Sequence, residues 1–147
     1  MDYTFELLEN PTDQRASFDL MHVLRPHLSD PDAYVAQLSR QTRQGYRLFA
    51  ISNGQGMVGL AGYRELENLI YGRFIYVDDL MISPQMQGSG VGATLLNAVR
   101  EEAVRRGCDH FVLDTGLHMA LAQRFYFRQG LLARGMHFTE KLSEAHP

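Results

Sequence analysis

The chain has 147 residues, 45% of them hydrophobic and 21% charged, with a formal net charge of −3. These values fit a single domain of 1–147, and no stretch nears the roughly 20 apolar residues that would span a bilayer, so no membrane association is expected. A negative balance without runs of like charge gives no general attraction to nucleic acid, and the lone Cys108 excludes an internal disulfide framework.

The first residues, MDYTFELLEN, carry acids where a secretion signal carries bases, so the expected location is cytoplasmic. From Pro11 to Leu28, Ala16, Leu20, Val23 and Leu24 recur at helical spacing behind a Thr12 cap, and Pro26 marks the end. A second helix follows, with Asp30 as N-cap, Pro31 in the first turn and Gly45 as the stop. RLFAIS (47–52) and MVGLAGYREL (57–66) read as strands joined by a hairpin at Asn53-Gly54. FIYVDDLMI (74–82) is a further strand, ended by Ser83-Pro84. Gly92, Leu95, Leu96, Val99 and Ala103 mark an amphipathic helix closed by Gly107. HFVLDT (110–115) predicts a strand, HMALAQRFYFRQ (118–129) a helix stopped by Gly130, and the tail to about Leu142 one or two short strands. The sum is an α/β or α+β domain with one mixed sheet.

The segment QGSGVG (87–92) places three glycines between a strand and a helix. That order aims the free N–H groups of a helix start at one point, where the helix dipole favours negative charge, and glycine lets the backbone approach a ligand. A phosphate suits such a turn, although glycines also punctuate tight connections. A nucleotide-hydrolysing loop would need a lysine beside Gly92, which is missing. A dinucleotide fingerprint can be drawn through Gly88, Gly90 and Ala93 with Asp109 or Asp114 as its acid, but too little chain follows for the remaining strand-helix units.

At these residues the chain resembles the GCN5-related N-acetyltransferases. Their pyrophosphate loop, [QR]-x-x-G-x-[GA], is matched by Gln87, Gly90 and Gly92, and the preceding Asp79-Leu80-Met81-Ile82 with Pro84 resembles their acid-Leu-x-Val strand. A second signature, A-x-x-[FL]-Y-x-x-x-G-[FL], is met by Ala122, Phe125, Tyr126, Gly130 and Leu131. The resemblance implies a mixed, mostly antiparallel central sheet with helices on both faces. It also implies acetyl transfer from acetyl-CoA to a primary amine by direct attack in a ternary complex. By that likeness the strand at 74–82 splays from its neighbour, often at a bulge. The backbone of Leu80, Met81 and Ile82 then pairs with the pantetheine arm, while Gln87, Gly88, Ser89, Gly90, Val91, Gly92, Ala93 and Thr94 hold the diphosphate. Met119 stands where many members carry an Asn that touches the coenzyme arm, so contacts there must differ; the neighbouring His118 can substitute or begin a helix.

Aminolysis of a thioester needs a neutral amine, a donor to the developing oxyanion and a proton for the departing thiolate. Tyr126 matches the family's general acid; read without its flanking motif, it is better taken as an aromatic packed on the sheet. Asp78 and Asp79, adjacent in a strand, point to opposite faces unless a bulge intervenes. The likeness to diamine acetyltransferases favours Asp78 as base, with Asp79 binding a cationic acceptor or organising the bulge. Solvated acids at a sheet edge are the plain alternative. No metal is expected, because Cys108 and His110 lack further ligands. His110 and His137 read as structural, and Phe125-Tyr126-Phe127 as core. The acceptor is a small molecule or a peptide amine; an acyl-CoA sensor without turnover, and an acetyltransferase of protein N-termini or lysines, stay open. Family habit suggests a homodimer, for which the spacing itself gives no sign.

Overall fold

The computed structural model describes residues 2–147. They divide into two compact units, one ending at Asp114 and the other comprising Thr115–Pro147.

The first unit is built on a five-stranded sheet in the order β1-β2-β3-β4-β5, formed by Thr4–Leu7, Arg47–Asn53, Gly56–Asn68, Gly72–Ile82 and His110–Leu113. The first four strands run antiparallel to their neighbours, and β5 pairs parallel with β4. Helices α1 (Pro11–Ala16), α2 (Phe18–Leu24) and α3 (Pro31–Thr42) precede β2, and α4 (Val91–Arg105) makes the crossover from β4 to β5. Sheet side chains feed two cores. Met21, Tyr34, Leu38, Tyr46, Leu48, Leu60 and Met81 form the core on the α1–α3 face. Ile51, Ala61, Tyr63, Ile75, Val77, Val91, Leu95 and Val99 form the one under α4. Leu95, Leu96 and Val99 of α4 are buried, as the helical spacing of the sequence requires.

Several boundaries differ from the sequence expectation. The helix expected over 11–28 is broken at Ser17, whose hydroxyl donates to the Gln14 carbonyl at 2.6 Å and is hydrogen-bonded to the Tyr34 hydroxyl at 2.7 Å. A buried serine bonding its own backbone competes with helix continuation. The cap is Asn10, not Thr12, because the Asn10 side chain accepts from the Asp13 N–H and Pro11 takes the first turn. Asp30 and Pro31 hold the expected cap positions of α3. β1 has no sequence signal, since its four residues are exposed and carry no buried alternation.

The second unit contains one helix, α5 (Ala120–Arg128), beginning after Met119. Phe125 and Tyr126 are half-buried, whereas Phe127, expected in a core, is exposed. The strands expected in the tail are not formed: residues 131–142 have no regular structure, and Leu132, Met136, Phe138 and Leu142 are exposed. Gly135 and the scattered charges interrupt the alternation that would fix a strand register.

Candidate active site

Two features of the first unit converge at the C-terminal end of β4. The first is an open strand edge. β5 pairs with β4 only from Phe74 to Val77, so the same edge of β4 from Asp78 to Ile82 has no ladder partner among the described residues. Unpaired N–H and C=O groups in an extended strand can accept another strand-like chain.

The second feature is the loop that follows. A single 3-10 turn, Pro84–Met86, leads through the exposed residues Gln87 to Gly90 into α4. Gly88 (φ 79°) and Gly90 (φ 87°) occupy the left-handed region, which glycine enters without the β-carbon clash that other residues meet. Gly90 caps α4 with no side-chain bond of its own. The loop's own side chains brace it: Gln87 Nε2 donates to the Ile82 carbonyl at 3.2 Å and Ser89 Oγ to the Met86 carbonyl at 2.6 Å. Thr94 sends both its amide and its hydroxyl to the Gly90 carbonyl, each at 3.2 Å. Among the described residues, the N–H groups of Gly88, Gly90, Gly92 and Ala93 have no partner, which leaves donors at the positive end of a 15-residue helix.

The open edge begins at a β-bulge. Gly62 pairs with Asp79 but Tyr63 pairs with Val77, so Asp78 is the extra residue of β4. Val77 belongs to the core under α4 and Met81 to the core under α1–α3, so the alternation slips by one residue at the bulge. Both carboxylates therefore emerge on the α1–α3 face, as their partners also indicate. Asp78 receives Arg64 in a two-pronged bond, Nε to Oδ2 at 2.9 Å and Nη2 to Oδ1 at 2.7 Å. Asp79 Oδ1 accepts from Arg25 Nε at 3.1 Å and Nη2 at 2.9 Å, and its Oδ2 accepts from the Tyr46 hydroxyl at 2.7 Å. Arg25 Nη2 also reaches the Asp78 carbonyl at 3.0 Å. Arg25 follows α2 as its C-cap, and the guanidinium of Arg64 lies over the Tyr76 ring, 5.5 Å from its centroid.

Gly62 makes the tyrosine contact sterically feasible. A β-carbon there would lie 1.8 Å from the Tyr46 hydroxyl oxygen, so only glycine opposite Asp79 leaves room for the phenol. Burial pushes the Tyr46 phenol well above its ordinary range, and the neighbouring Asp79 carboxylate adds to this. Burial likewise pushes the Tyr34 phenol up to about 12, with Asp79 again contributing. Both phenols are thus held as neutral donors.

Arg25, Arg64 and Tyr46 were not singled out in the sequence. Their only prior signal was that two acids in an apolar strand demand partners. Leu80 and Ile82 pack against the core under α4, and Met81 is buried in the opposite core. Val91 is buried, while Gly92, Ala93 and Thr94 are half-buried. Tyr126 and Met119 belong to the second unit. The Tyr126 phenol is raised by burial, and Met119 is exposed beside an exposed His118. His110 Nδ1 lies 2.7 Å from the Tyr71 carbonyl, a structural contact at the edge of β5. Among the described residues no cluster of three or more His, Cys, Asp or Glu could hold a metal ion, and no helix is long and apolar enough to cross a membrane.

Comparison with known proteins fits this arrangement of strand, bulge and glycine loop. A family model described as "Acetyltransferase (GNAT) family" matches residues 10–131. The aminoalkylphosphonate N-acetyltransferase of Salmonella typhimurium is 30% identical over 138 residues, spanning 93% of this chain and 79% of that one. A thialysine N-epsilon-acetyltransferase of Mus musculus is 34% identical over 62 residues, 42% of this chain and 36% of that one. Among solved structures, AAC(6')-Iy in complex with the bisubstrate analog CoA-S-monomethyl-acetylneamine superposes with a TM-score of 0.81 at 17% identity, covering 97% of this chain and 100% of that one. A mixed five-stranded sheet with flanking helices is thus an acetyltransferase fold. The chain belongs to the acetyltransferase (GNAT) family and is an N-acetyltransferase of the acetyl-CoA-dependent class.

Proposed function

We propose that this chain, as one N-acetyltransferase domain, moves the acetyl group of acetyl-CoA onto a small primary amine by direct attack in a ternary complex. The observation that carries the reading is the open edge of β4 from Asp78 to Ile82, running into a loop with unpartnered amides at the head of α4. The backbone groups of Leu80 to Ile82 on the edge away from β3 suit the amide-bearing pantetheine arm. The N–H groups of Gly88, Gly90, Gly92 and Ala93 suit the diphosphate, with the Thr94 side chain beside them. A small acceptor is supported by the names of the relatives, which act on an aminoalkylphosphonate and on thialysine.

In this reading the amine nitrogen attacks the thioester carbonyl carbon, and the carbonyl oxygen takes up the negative charge facing a backbone N–H near Leu80. Collapse breaks the carbon–sulfur bond. The proton lost by the amine passes to Asp78, directly or through water. Arg64 occupies one lone-pair direction on each Asp78 oxygen and leaves another for that proton. Asp79 already accepts three bonds, which suits it to holding the bulge. Tyr126, a phenol kept protonated by burial, supplies the proton to the departing thiolate.

Calorimetric titration with acetyl-CoA tests the donor site. The parent binds, a Gly90→Glu variant loses binding, and Gly90→Asn, which tolerates the left-handed backbone, retains it. A folded parent that does not bind acetyl-CoA refutes the reading.

A further inference from the structure

Adjacent acids at 78 and 79 suggest a site for a cation, but the structure neutralises both. Arg25 and Arg64 each meet one carboxylate, so the face carries two cations against two anions. What these pairs leave unused is the guanidinium nitrogen Nη1 of each arginine. Arg25 spends Nε and Nη2 on Asp79 and the Asp78 carbonyl; Arg64 spends Nε and Nη2 on Asp78. Among the described residues Nη1 has no hydrogen-bond partner in either side chain. Arginine offers donors and no acceptor, so each Nη1 presents two N–H groups that solvent fills in the free protein and that an oxyanion of a ligand can take over.

Position and rigidity turn these donors into a binding feature. Arg25 touches the carbonyl of the bulged residue itself, Asp78, two residues before Leu80, where the stretch assigned above to the pantetheine arm begins. An amine attacking there brings the rest of its own molecule past Arg25. The Arg25 side chain is 42% exposed and that of Arg64 33% exposed, so both reach solvent, yet each is fixed at two nitrogens by a largely buried carboxylate. A guanidinium already fixed loses little further side-chain freedom on taking up a ligand, whereas a free surface arginine would lose most of it.

We infer that the acceptor is a primary amine that also carries an oxyanion, a carboxylate or a phosphonate, a few bonds from the nitrogen, and that Arg25, with Arg64 beside it, receives that group. The inference rests on the acetyltransferase reading above. It replaces the cationic acceptor that two adjacent acids suggest in sequence, because neither acid is available as an unpaired charge.

The test measures CoA release with a thiol reagent for four amines of similar size: aminoethylphosphonate, beta-alanine, propylamine and diaminopropane. Acetyl-CoA binding is followed separately by calorimetry. The expected result is that one or both anion-bearing amines exceed propylamine and diaminopropane in kcat/KM. Preference between the two anions tells phosphonate from carboxylate. In Arg25→Gln the advantage of the anion-bearing amine over propylamine falls by roughly 10- to 100-fold, the value of a charge-assisted bond. Arg64→Gln lowers the same ratio by a smaller factor, and Arg25→Lys restores part of it. The ratio between two substrates on one enzyme does not move when a variant is merely less stable. Acetyl-CoA binding with diaminopropane or propylamine as the better acceptor, or with no turnover of the anion-bearing amines, overturns the inference and leaves the donor site standing. Absence of acetyl-CoA binding overturns the transferase reading and this inference with it.

Discussion

Tyr46→Phe isolates the contact that ties the residue before β2 to the bulge. Tyr46 is 2% exposed, and its hydroxyl lies 2.7 Å from Asp79 Oδ2. Phenylalanine keeps the ring and its packing, so no cavity of consequence opens and the change is confined to one hydrogen bond. That bond runs to a charged acceptor, a class worth about 1.5–3 kcal/mol. The Asp79 side chain is 16% exposed, so water can replace part of the lost donor and the lower half of that range applies. A loss of about 2 kcal/mol in a domain of this size lowers Tm by roughly 6–8 °C. Urea denaturation monitored by circular dichroism measures it, repeated in an Asp79→Asn background. In that background the phenol no longer meets a charge, and Tyr46→Phe should cost about 1 kcal/mol less. A cost below about 0.5 kcal/mol, or an equal cost in both backgrounds, would refute the claim that this bond anchors the bulge.

The remaining predictions probe the same region and the second unit. Tyr34 and Tyr46 have folded pKa values raised above the ordinary 10, so the native state keeps protons that the unfolded chain gives up. Stability is therefore full below about pH 10 and falls as pH rises from there through about 12, and alkaline denaturation should be shallower in Tyr46→Phe. Gly62→Ala places a methyl on the Tyr46 hydroxyl and should cost about 1–3 kcal/mol by thermal unfolding, with smaller loss in a Tyr46→Ala background. Deleting Asp78 leaves the pairings of Tyr63 with Val77 and Gly62 with Asp79 intact; the protein should fold, as near-native circular dichroism would show, yet lose transfer activity. Tyr126→Phe should slow transfer by roughly 10²- to 10⁴-fold with acetyl-CoA affinity unchanged, and an unaltered rate removes the phenol from the chemistry.

The parts of the fold legible in sequence are those whose pattern is local. α4 announces itself by five apolar positions on one face, and α3 by an Asp-Pro start that the structure reproduces. The glycine loop is legible because positive φ at positions 88 and 90 restricts the residue type. β1 was not legible, since its place depends on pairing with β2 more than 40 residues later, as in Thr4 with Ser52. The break at Ser17 was equally hidden, because the competing partner, Tyr34, lies 17 residues away. The tail misled in the opposite sense: apolar residues at 132, 136, 138 and 142 suggest strands, but a strand requires a partner edge that local composition does not supply.

The bulge shows how far a sequence argument about charge can be taken. In a regular strand, adjacent acids would send one carboxylate into a core lined by Ile75, Val77 and Leu95, an unpaired charge in an apolar setting. The pair Asp78-Asp79 therefore admits a bulge or a solvated sheet edge in sequence, and the structure takes the bulge. The pair does not imply what neutralises the acids. Arg64 is 14 residues from Asp78 and is brought there by the β3–β4 hairpin, while Arg25 is 54 residues from Asp79 and arrives only through the packing of α2 on the sheet. The acids taken alone describe an anionic pocket. With the arginines in place, each carboxylate is paired, and the guanidinium nitrogens not spent on the pairs remain as N–H donors. The net charge that the sequence suggests at this site is thus cancelled in the structure, because a charge acts through its net surroundings and not through its own identity.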